Sequence, residues 1–361
     1  MITQALSNHV PLAEAPGRLP SRSKCRRDSR MARRRKFGAR ALSRAACGGI
    51  CWLFLFGWAT GFGAPLEHVL IVSLDGARSD YVLSAQSSNI QFMASHGAFS
   101  WRAQTVYPSL TLIAHAAMLT GCQPGKHGID WNDWKPEAGF VKTSTCFELV
   151  KQSGGGTAMF VGKEKLRHIA KPGTLDKFEI VKGAAELLST TAAAYFMTNR
   201  PALMFVHYAD PDAAGHKFGW GSTQYLEAMN NCDQGIGLLR RAVLQAGLAS
   251  NTLFILTADH GGHQRTHGTR DPSDMTIPWI AYSPGHVLPV AIQAEVSVCD
   301  TAATAVHALG LKVDQQWDGK ALVEIFVSAK TVAVRQHYAV RVAAAGHAAN
   351  RLRGLVGAPA R

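Results

Sequence analysis

The chain has 361 residues, with 38 Lys or Arg against 25 Asp or Glu and a formal net charge of +13. Twelve of the basic residues and only two acids fall within residues 1–45, which leaves about +3 for the rest of the chain. Because the excess charge is confined to the amino terminus, the composition argues against a body that binds nucleic acid, and no specific nucleic-acid partner is expected.

The amino terminus has the pattern of an export signal. The basic stretch is followed by a short apolar run at 45–59 and by small residues up to Ala64. A positive region, an apolar core and small residues are typical of a secretory signal. The run is short for a membrane span, so a retained membrane anchor is the alternative. Residues 1–64 are therefore predicted to be the leader of a periplasmic or secreted protein.

The start of translation and the export route stay open. Met31 is followed by Ala32 and a basic run, so a start at Met31 would give a leader of ordinary length. The sequence Arg34-Arg35-Lys36-Phe37 also resembles a twin-arginine signal.

Four cysteines follow the leader, an even number that suits an oxidising compartment. Two disulfides, Cys122 with Cys146 and Cys232 with Cys299, are one interpretation. Four buried free thiols are the other.

Residues 65–330 alternate strand-like apolar runs with longer helical stretches at 183–199 and 222–247. This alternation predicts one three-layer α/β/α domain with a mainly parallel central sheet. The segment 133–176, rich in Gly, Lys and Pro, is the predicted position of a small cap. Residues 331–361 contain no acid and are predicted to be a disordered tail. The oligomeric state is left open.

Three predicted strands in this domain end in side chains that bind metals. The run 68–74 leads into Asp75, the run 202–208 leads into Asp212 and His216, and the run 253–257 leads into Asp259 and His260. Open α/β sheets carry their sites at the carboxyl ends of strands, and oxygen and nitrogen ligands suit zinc. Two half-sites are predicted: Asp212, His216 and His267 for one ion, and Asp75, Asp259 and His260 for the other.

Such a centre favours phosphoryl transfer. Three carboxylates against two Zn²⁺ leave a net charge of about +1, which attracts a phosphoryl group and stabilises the attacking and leaving oxygens. A small-molecule phosphate ester is the predicted substrate.

Thr111 is the candidate nucleophile. It precedes the apolar, Ala-rich stretch 112–119, which is predicted to be a helix. In the first turn, unpaired N–H groups and the helix dipole favour an anion, and contact with zinc favours the alkoxide. The alternative is that Ser109 or Thr111 only caps the helix. With six candidate ligands in the chain, we favour Thr111 as nucleophile and additional metal ligand.

Six short motifs follow one another in a specific order. They are Asp75-Gly76, Pro108-x-x-Thr111 with His115, Thr120-Gly121 with Pro124 and His127-Gly128-Ile129, Pro211-Asp212-x-x-Gly215-His216, Asp259-His260-Gly261, and His267. Over residues 68–285 the chain resembles the alkaline phosphatase superfamily, most closely the type I phosphodiesterase/nucleotide pyrophosphatase family. The resemblance implies the metal ligands given above, a phosphothreonine intermediate, and Asn132 as the amide that binds a phosphoryl oxygen.

Several neighbouring residues compete with this assignment. His263 competes with His267, which we favour because its His-Gly context fits the family pattern. Asp210 competes with Asp212, which is spaced (i, i+4) from His216; Asp210 is predicted to fix the loop. His115 and His207 fall within apolar segments and are predicted to be buried and hydrogen-bonded. His96 and His127 are also predicted to have structural roles.

Lys163 and Lys165 complicate the choice of substrate. A Lys-x-basic element at this place resembles the phosphate-binding residues of zinc alkaline phosphomonoesterases, although the pair could also be a solvated charge cluster. The sequence contains no clear aromatic slot for a base. Phosphodiester or pyrophosphate hydrolysis is therefore predicted, with a phosphomonoesterase as the alternative.

Other classes fit less well. An inactive zinc-stabilised envelope protein and a phosphoryl or head-group transferase remain alternatives. A sulfatase lacks support because no Cys/Ser-x-Pro-x-Arg motif occurs at the nucleophile. The leader and Thr111 disfavour a cofactor-independent phosphoglycerate mutase.

Overall fold

A computed structural model of the protein describes residues 64–85 and 87–328. Apart from Ala64, the predicted leader lies outside these residues, as do the alternative start at Met31, the twin-arginine motif and the tail after residue 330. No helix between residues 64 and 328 is long and apolar enough to cross a membrane.

Eight strands form one sheet. They are β1 (His68–Leu74), β2 (Ala98–Gln104), β3 (Thr157–Val161), β4 (Lys177–Ile180), β5 (Leu203–Tyr208), β6 (Thr252–Thr257), β7 (Thr276–Tyr282) and β8 (Val290–Ala291). Their order across the sheet is β4-β3-β5-β1-β6-β7-β2-β8. Strand β7 runs antiparallel to both of its neighbours and the remaining pairs are parallel. The prediction of a mainly parallel sheet is confirmed.

Helices flank the sheet in two groups. The α-helices of the described residues are α1 (Ser79–Ser84), α2 (Ser88–His96), α3 (Thr111–Thr120), α4 (Pro124–His127), α5 (Cys146–Gln152), α6 (Ala185–Asn199), α7 (Asp210–Phe218), α8 (Thr223–Gln245), α9 (Pro272–Met275) and α10 (Asp300–Ala308). Helices α2, α6 and α7 pack on α8, whereas α4, α5 and α10 pack on α3. Every residue of β1, β3, β5 and β6 is buried, which requires cover on both faces of the sheet.

The central strands bring the candidate ligands together. Strand β1 pairs with β5 on one side and β6 on the other, so Ser73 lies opposite both His207 and Thr257. Neighbouring strands are about 4.8 Å apart. The chain segments that follow β5, β1 and β6 therefore leave the same edge of the sheet side by side.

Two other predictions can be compared with the fold. Part of the segment proposed as a cap, 133–176, is strand β3 of the central sheet, which confines any cap to the loops around it. All four cysteines after the leader are buried and free: Cys122, Cys146, Cys232 and Cys299. The two-disulfide interpretation is therefore wrong for this structure.

Candidate metal centre and active site

The candidate ligands converge at the carboxyl edge of the sheet. Ligand atoms of Asp75, Asp259 and His260 lie within 4.8 Å of one another, and all three residues are buried. A second group with the same spacing contains Asp212, His260 and His267. The second group differs from the predicted half-site, because it contains His260 in place of His216, so that His260 belongs to both groups.

Three buried carboxylate oxygens at this edge accept no hydrogen bond: Asp75 Oδ1, Asp212 Oδ1 and Asp259 Oδ2. His260 Nε2 lies 3.4 Å from the first and 3.2 Å from the third. Two ligands bound at 2.0–2.1 Å to one tetrahedral ion are themselves about 3.4 Å apart. Carboxylate and imidazole groups at this spacing therefore fit divalent metal ions.

The second half-site assembles around one oxygen. The Nε2 atoms of His216 and His267 lie 3.3 Å and 3.5 Å from Asp212 Oδ1. His267 Nδ1 donates to the backbone oxygen of Ser109 at 2.8 Å, which aims Nε2 at the centre. His263 instead pairs with Asp274 at 2.7 Å. This contact supports His267 over His263 as the last ligand.

Two buried histidines lie beside the carboxylates. His207 Nδ1 accepts from the N–H of Gly162 at 3.2 Å, so its Nε2 carries the proton and donates to Asp75 Oδ2 at 2.9 Å. His115 Nδ1 donates to the backbone oxygen of Thr111 at 2.7 Å and lies 3.3 Å from Asp259 Oδ2. Both are buried and hydrogen-bonded as predicted, and such outer partners orient the ligands of a metal site.

Asp210 also has the role predicted for it. Its Oδ1 accepts from the backbone N–H of Ala185 at 3.3 Å, at the start of α6. Asp210 therefore ties the start of α7 to the start of α6, which supports Asp212 over Asp210 as the candidate ligand.

The charges of the buried carboxylates depend on neighbouring cations. Burial raises the pKa of Asp75, but Lys163 and the hydrogen bond from His207 together hold it well below its usual value. Burial and the charge of Asp75 hold the pKa of Asp259 well above its usual value. Burial and nearby His267 lower the pKa of His260 to about 4, so its imidazole is neutral and can bind a metal ion.

Thr111 is the first residue of α3 and its hydroxyl faces the centre. Leu110 occupies the N-cap position and makes no side-chain cap. Thr111 Oγ1 lies 3.3 Å from His260 Nε2, and Ser109 Oγ donates to the backbone oxygen of Thr269. The alternative in which either hydroxyl only caps the helix is therefore wrong.

Asn132 is tied to the same helix. Its Oδ1 accepts from the backbone N–H of Leu112 at 2.9 Å. Because the carbonyl end of the side chain is occupied, the amide NH₂ is the end that can donate to a phosphoryl oxygen beside Thr111.

Lys163 lies between the half-sites. Its Nζ is 2.7 Å from Asp75 Oδ2, 2.5 Å from Asp212 Oδ2 and 3.5 Å from Thr111 Oγ1. Burial opposes the charge, but these carboxylates raise the pKa of Lys163 well above its usual value. Burial and the charge of Lys163 lower the pKa of Lys165. Lys163 is therefore ion-paired with two candidate ligands and is not part of a solvated charge cluster.

An aromatic group near Asn132 was missed by the sequence analysis. The rings of Trp131 and Trp134 lie 5.3 Å and 4.5 Å from the ring of His168, and the guanidinium of Arg167 lies 5.8 Å from Trp134. The available signal was the pair of tryptophans that flanks Asn132-Asp133. His168 comes from a distant part of the sequence, so the group could not be recognised there.

Sequence comparison identifies relatives of the chain. A family model described as type I phosphodiesterase/nucleotide pyrophosphatase matches residues 69–272. Bis(5'-adenosyl)-triphosphatase ENPP4 of Bos taurus is 25% identical over 270 residues, which are 66% of this chain and 59% of that protein. Venom phosphodiesterase 2 of Crotalus adamanteus is 26% identical over 221 residues, 55% of this chain and 27% of that protein. The chain thus spans less than two thirds of the length of these relatives.

Solved structures share the fold. Murine ectonucleotide pyrophosphatase/phosphodiesterase 5, in complex with AMP, has a TM-score of 0.62 at 15% identity, covering 72% of this chain and all of that one. A 2-O glycosaminoglycan sulfatase, BT1596, has a TM-score of 0.57 at 17% identity and covers 71% of this chain and 73% of that one. Since the family model spans more than half of the 361 residues, the chain belongs to the type I phosphodiesterase/nucleotide pyrophosphatase family.

Proposed function

We propose that the protein is an exported phosphoesterase that hydrolyses phosphodiester or nucleotide pyrophosphate bonds with two Zn²⁺ and a covalent intermediate on Thr111. The observation that carries the proposal is the position of the Thr111 hydroxyl, 3.3 Å from His260 Nε2. A hydroxyl in the first turn of a helix, beside six metal-binding side chains, has the surroundings that an activated nucleophile needs.

The metal ligands in this proposal are Asp75, Asp259 and His260 in one half-site and Asp212, His216 and His267 in the other, with Thr111 beside them. When bound, two divalent cations stabilise the alkoxide of Thr111 and the charge on the departing oxygen. Imidazole and carboxylate together favour zinc.

The reaction has two displacements. Thr111 Oγ, having released its proton to solvent, forms a bond to phosphorus while the bond to the leaving oxygen breaks. Asn132 donates its amide N–H to a phosphoryl oxygen. In the second step water attacks phosphorus, Thr111 leaves and regains a proton, and the second inversion restores the original configuration.

The nature of the substrate is supported by two observations. The bovine relative is named a bis(5'-adenosyl)-triphosphatase, and the similar murine structure contains AMP. In this chain, Trp131 and Trp134 lie on the loop that carries Asn132 and offer aromatic faces near the site. We infer that a nucleotide ester or pyrophosphate is the small-molecule substrate.

A phosphomonoesterase is the second candidate, and Lys163 favours it. A phosphomonoester dianion carries one more negative charge and one more free oxygen than a diester. An ammonium 3.5 Å from the nucleophile would therefore help a monoester more, and Lys165 nearby would add to this effect. An inactive envelope protein or a transferase has less support, because the ligand set and the nucleophile are both present.

The place of action and domain arrangement belong to the same proposal. Two relatives are named ectonucleotide pyrophosphatases or venom enzymes, which agrees with export to the periplasm or medium. We propose that 1–64 is the leader, 65–330 is the enzyme domain, loops within 133–176 form a cap, and 331–361 is a disordered tail.

Variants at Thr111 test the proposal. Thr111→Ala should retain the fold and metal content but lose most turnover of diesters and nucleotides, whereas Thr111→Ser should retain a substantial part because the hydroxyl survives. Acid quenching during turnover should trap a phosphoryl adduct on a peptide containing Thr111 in the parent and none in the alanine variant. Near-parental turnover by Thr111→Ala would refute the proposal.

Metal removal provides an independent test. Chelation should abolish turnover and lower the melting temperature, since a ligand that binds only the folded state stabilises it. Zinc should restore activity better than magnesium because imidazole prefers zinc. Full activity after exhaustive chelation would eliminate the metal centre from the mechanism.

A further inference from the structure

We propose that Trp220 is a positioning residue for the metal centre, and this inference depends on the metal-dependent function proposed above. Its indole is 7% exposed and lies behind both half-sites. It contacts each of the three chain segments that carry the predicted ligands. Neither a family motif nor a ligand role accounts for it.

The first contact is a hydrogen bond. Trp220 Nε1 donates to the backbone oxygen of Gly76 at 2.8 Å, and the hydroxyl of Tyr225 donates to the same oxygen at 3.0 Å. Gly76 follows Asp75, and its own N–H donates to Asp259 Oδ1 at 3.0 Å. The indole therefore fixes the carbonyl of Gly76, the residue that follows Asp75 and whose N–H bonds Asp259.

The second set of contacts is steric. A Cβ atom placed on Gly215 would lie 2.7 Å from indole Cδ2, and one placed on Gly262 would lie 2.2 Å from indole Cε2. Gly215 precedes His216, and Gly262 follows Asp259 and His260. Both glycines leave the space that the ring fills, so the ring sets the distance between α7 and the segment after β6.

The third set of contacts involves His216 and His267, two ligands of the half-site that also contains Asp212. The centroid of the indole lies 5.2 Å from the ring of His216 and 6.0 Å from the ring of His267, with interplanar angles of 81° and 64°. The backbone N–H of Trp220 donates to the oxygen of Gln264 at 2.8 Å. Trp220 thus contacts both histidine rings and holds the backbone shortly before His267.

Loss of an outer partner of a metal site typically costs about 10- to 100-fold in metal affinity. Trp220→Phe removes the N–H donor and the fused-ring contacts while keeping an aromatic group. We expect its affinity for Zn²⁺, measured by competition with a chelating dye, to fall at least about tenfold. The absorption spectrum of bound Co²⁺ should also change, because the ligands are no longer held in place.

Trp279→Phe is the matched control. Trp279 is fully buried and its Nε1 donates to Thr301 Oγ1 at 3.1 Å, a bond that joins β7 to α10 and involves no candidate ligand. The same chemical change there should leave the affinity for Zn²⁺ and the Co²⁺ spectrum as in the parent. If Trp220→Phe acted only by lowering stability, both variants would have a lower melting temperature and their affinities for Zn²⁺ would not differ.

A second pair of variants protects the test against misfolding of Trp220→Phe. Gly215→Ala keeps Trp220 and is favoured by helix propensity, but its methyl group would displace the indole. Gly125→Ala is the control, because its Cβ would meet nothing within 4 Å. We expect Gly215→Ala to bind Zn²⁺ more weakly than the parent, and Gly125→Ala to bind it as the parent does.

Parental affinity and spectrum in folded Trp220→Phe, or in Gly215→Ala if the first variant does not fold, would overturn the role of Trp220. Failure of the parent protein itself to bind Zn²⁺ would instead overturn the proposed function. Assaying metal alone keeps these two outcomes distinct.

Discussion

The two half-sites differ in how they are built. Asp75, Asp259 and His260 follow directly from the central strands β1 and β6 and are completely buried. Asp212 and His216 lie on helix α7, His267 lies in a loop, and the side chain of His216 is 45% exposed. One half-site continues the sheet, whereas solvent reaches the other at His216, with the side chains of Asp212 and His267 each only 6% exposed.

This difference separates two tasks. Ligands that follow buried strands, with Asp75 held by His207, keep one geometry, which suits an ion beside the proposed nucleophile. Ligands on a helix and an exposed loop can admit solvent and a departing group. We expect the buried half-site to determine whether reaction occurs at all, and the open one to govern exchange with solvent.

The largest effect should come from removing one ligand from each half-site. Asp259→Asn should lower turnover by about 10³-fold, since a bound cation supplies several kcal/mol of charge stabilisation. His216→Asn should lower it about tenfold to a hundredfold, because water can take the place of an exposed ligand. Turnover and metal content of both variants should be measured together.

Asp274→Asn and His263→Asn are the controls, because they break a comparable acid–histidine pair outside the centre. They should leave the metal content unchanged. Equal losses from Asp259→Asn and His216→Asn would remove the distinction between the half-sites.

A smaller effect is expected from Lys163, which contacts a carboxylate of each half-site. Lys163→Met should cut phosphomonoester turnover about 10- to 150-fold, the equivalent of a charged hydrogen bond of roughly 1.5–3 kcal/mol. Diester turnover should change little. The ratio of kcat/KM for p-nitrophenyl phosphate and bis(p-nitrophenyl) phosphate measures this preference.

Lys171→Met is a suitable control, since Lys171 is also paired with an acid, Glu148, and with the backbone oxygen of Thr143, neither of which is a candidate site residue. Equal losses on both substrates from Lys163→Met would assign Lys163 to folding or general binding. Unchanged rates on both would exclude it from the active site.

The smallest effect concerns protonation in the metal-free protein. The carboxylate of Asp212, 3.3 Å from His216 Nε2, raises the pKa of His216, whereas burial and His267 lower the pKa of His260 to about 4. As pH falls from 7, His216 should therefore gain its proton first, and His260 should stay neutral until about pH 4. Since a protonated imidazole binds no metal, acid should empty the open half-site first.

Imidazole NMR signals of the protein in excess chelator can be followed against pH, with His216→Asn to identify one of them. Titration of both histidines at one pH would show that the half-sites are not electrostatically distinct.

Much of the fold and of the centre follows from local sequence. The mostly apolar run 68–74 ends at an acid and forms β1 with those bounds. Asp75, Asp212 and Asp259 could be predicted to converge because each comes shortly after such a run, and the ends of parallel strands share one edge. The helix predicted from the apolar, Ala-rich stretch 112–119 is also present, and it begins at Thr111.

What could not be predicted depends on contacts between distant segments. Lys163 meets Asp75 and Asp212 because β3 lies beside β5, an order that the sequence does not state. Trp220 stands between Gly219 and Gly221 and has the pattern of an ordinary turn. Only the folded chain shows that its indole is enclosed by Gly76, Gly215 and Gly262.

The hydrogen bond from Leu112 to Asn132 limits how this active site can change during evolution. It joins the residue after the proposed nucleophile to the amide proposed to bind the phosphoryl oxygen, so we expect the two to move as one unit. Insertions in the intervening loop would leave their separation intact. New substrates are then accommodated by altering what surrounds the leaving group, while the reacting phosphorus keeps the same position.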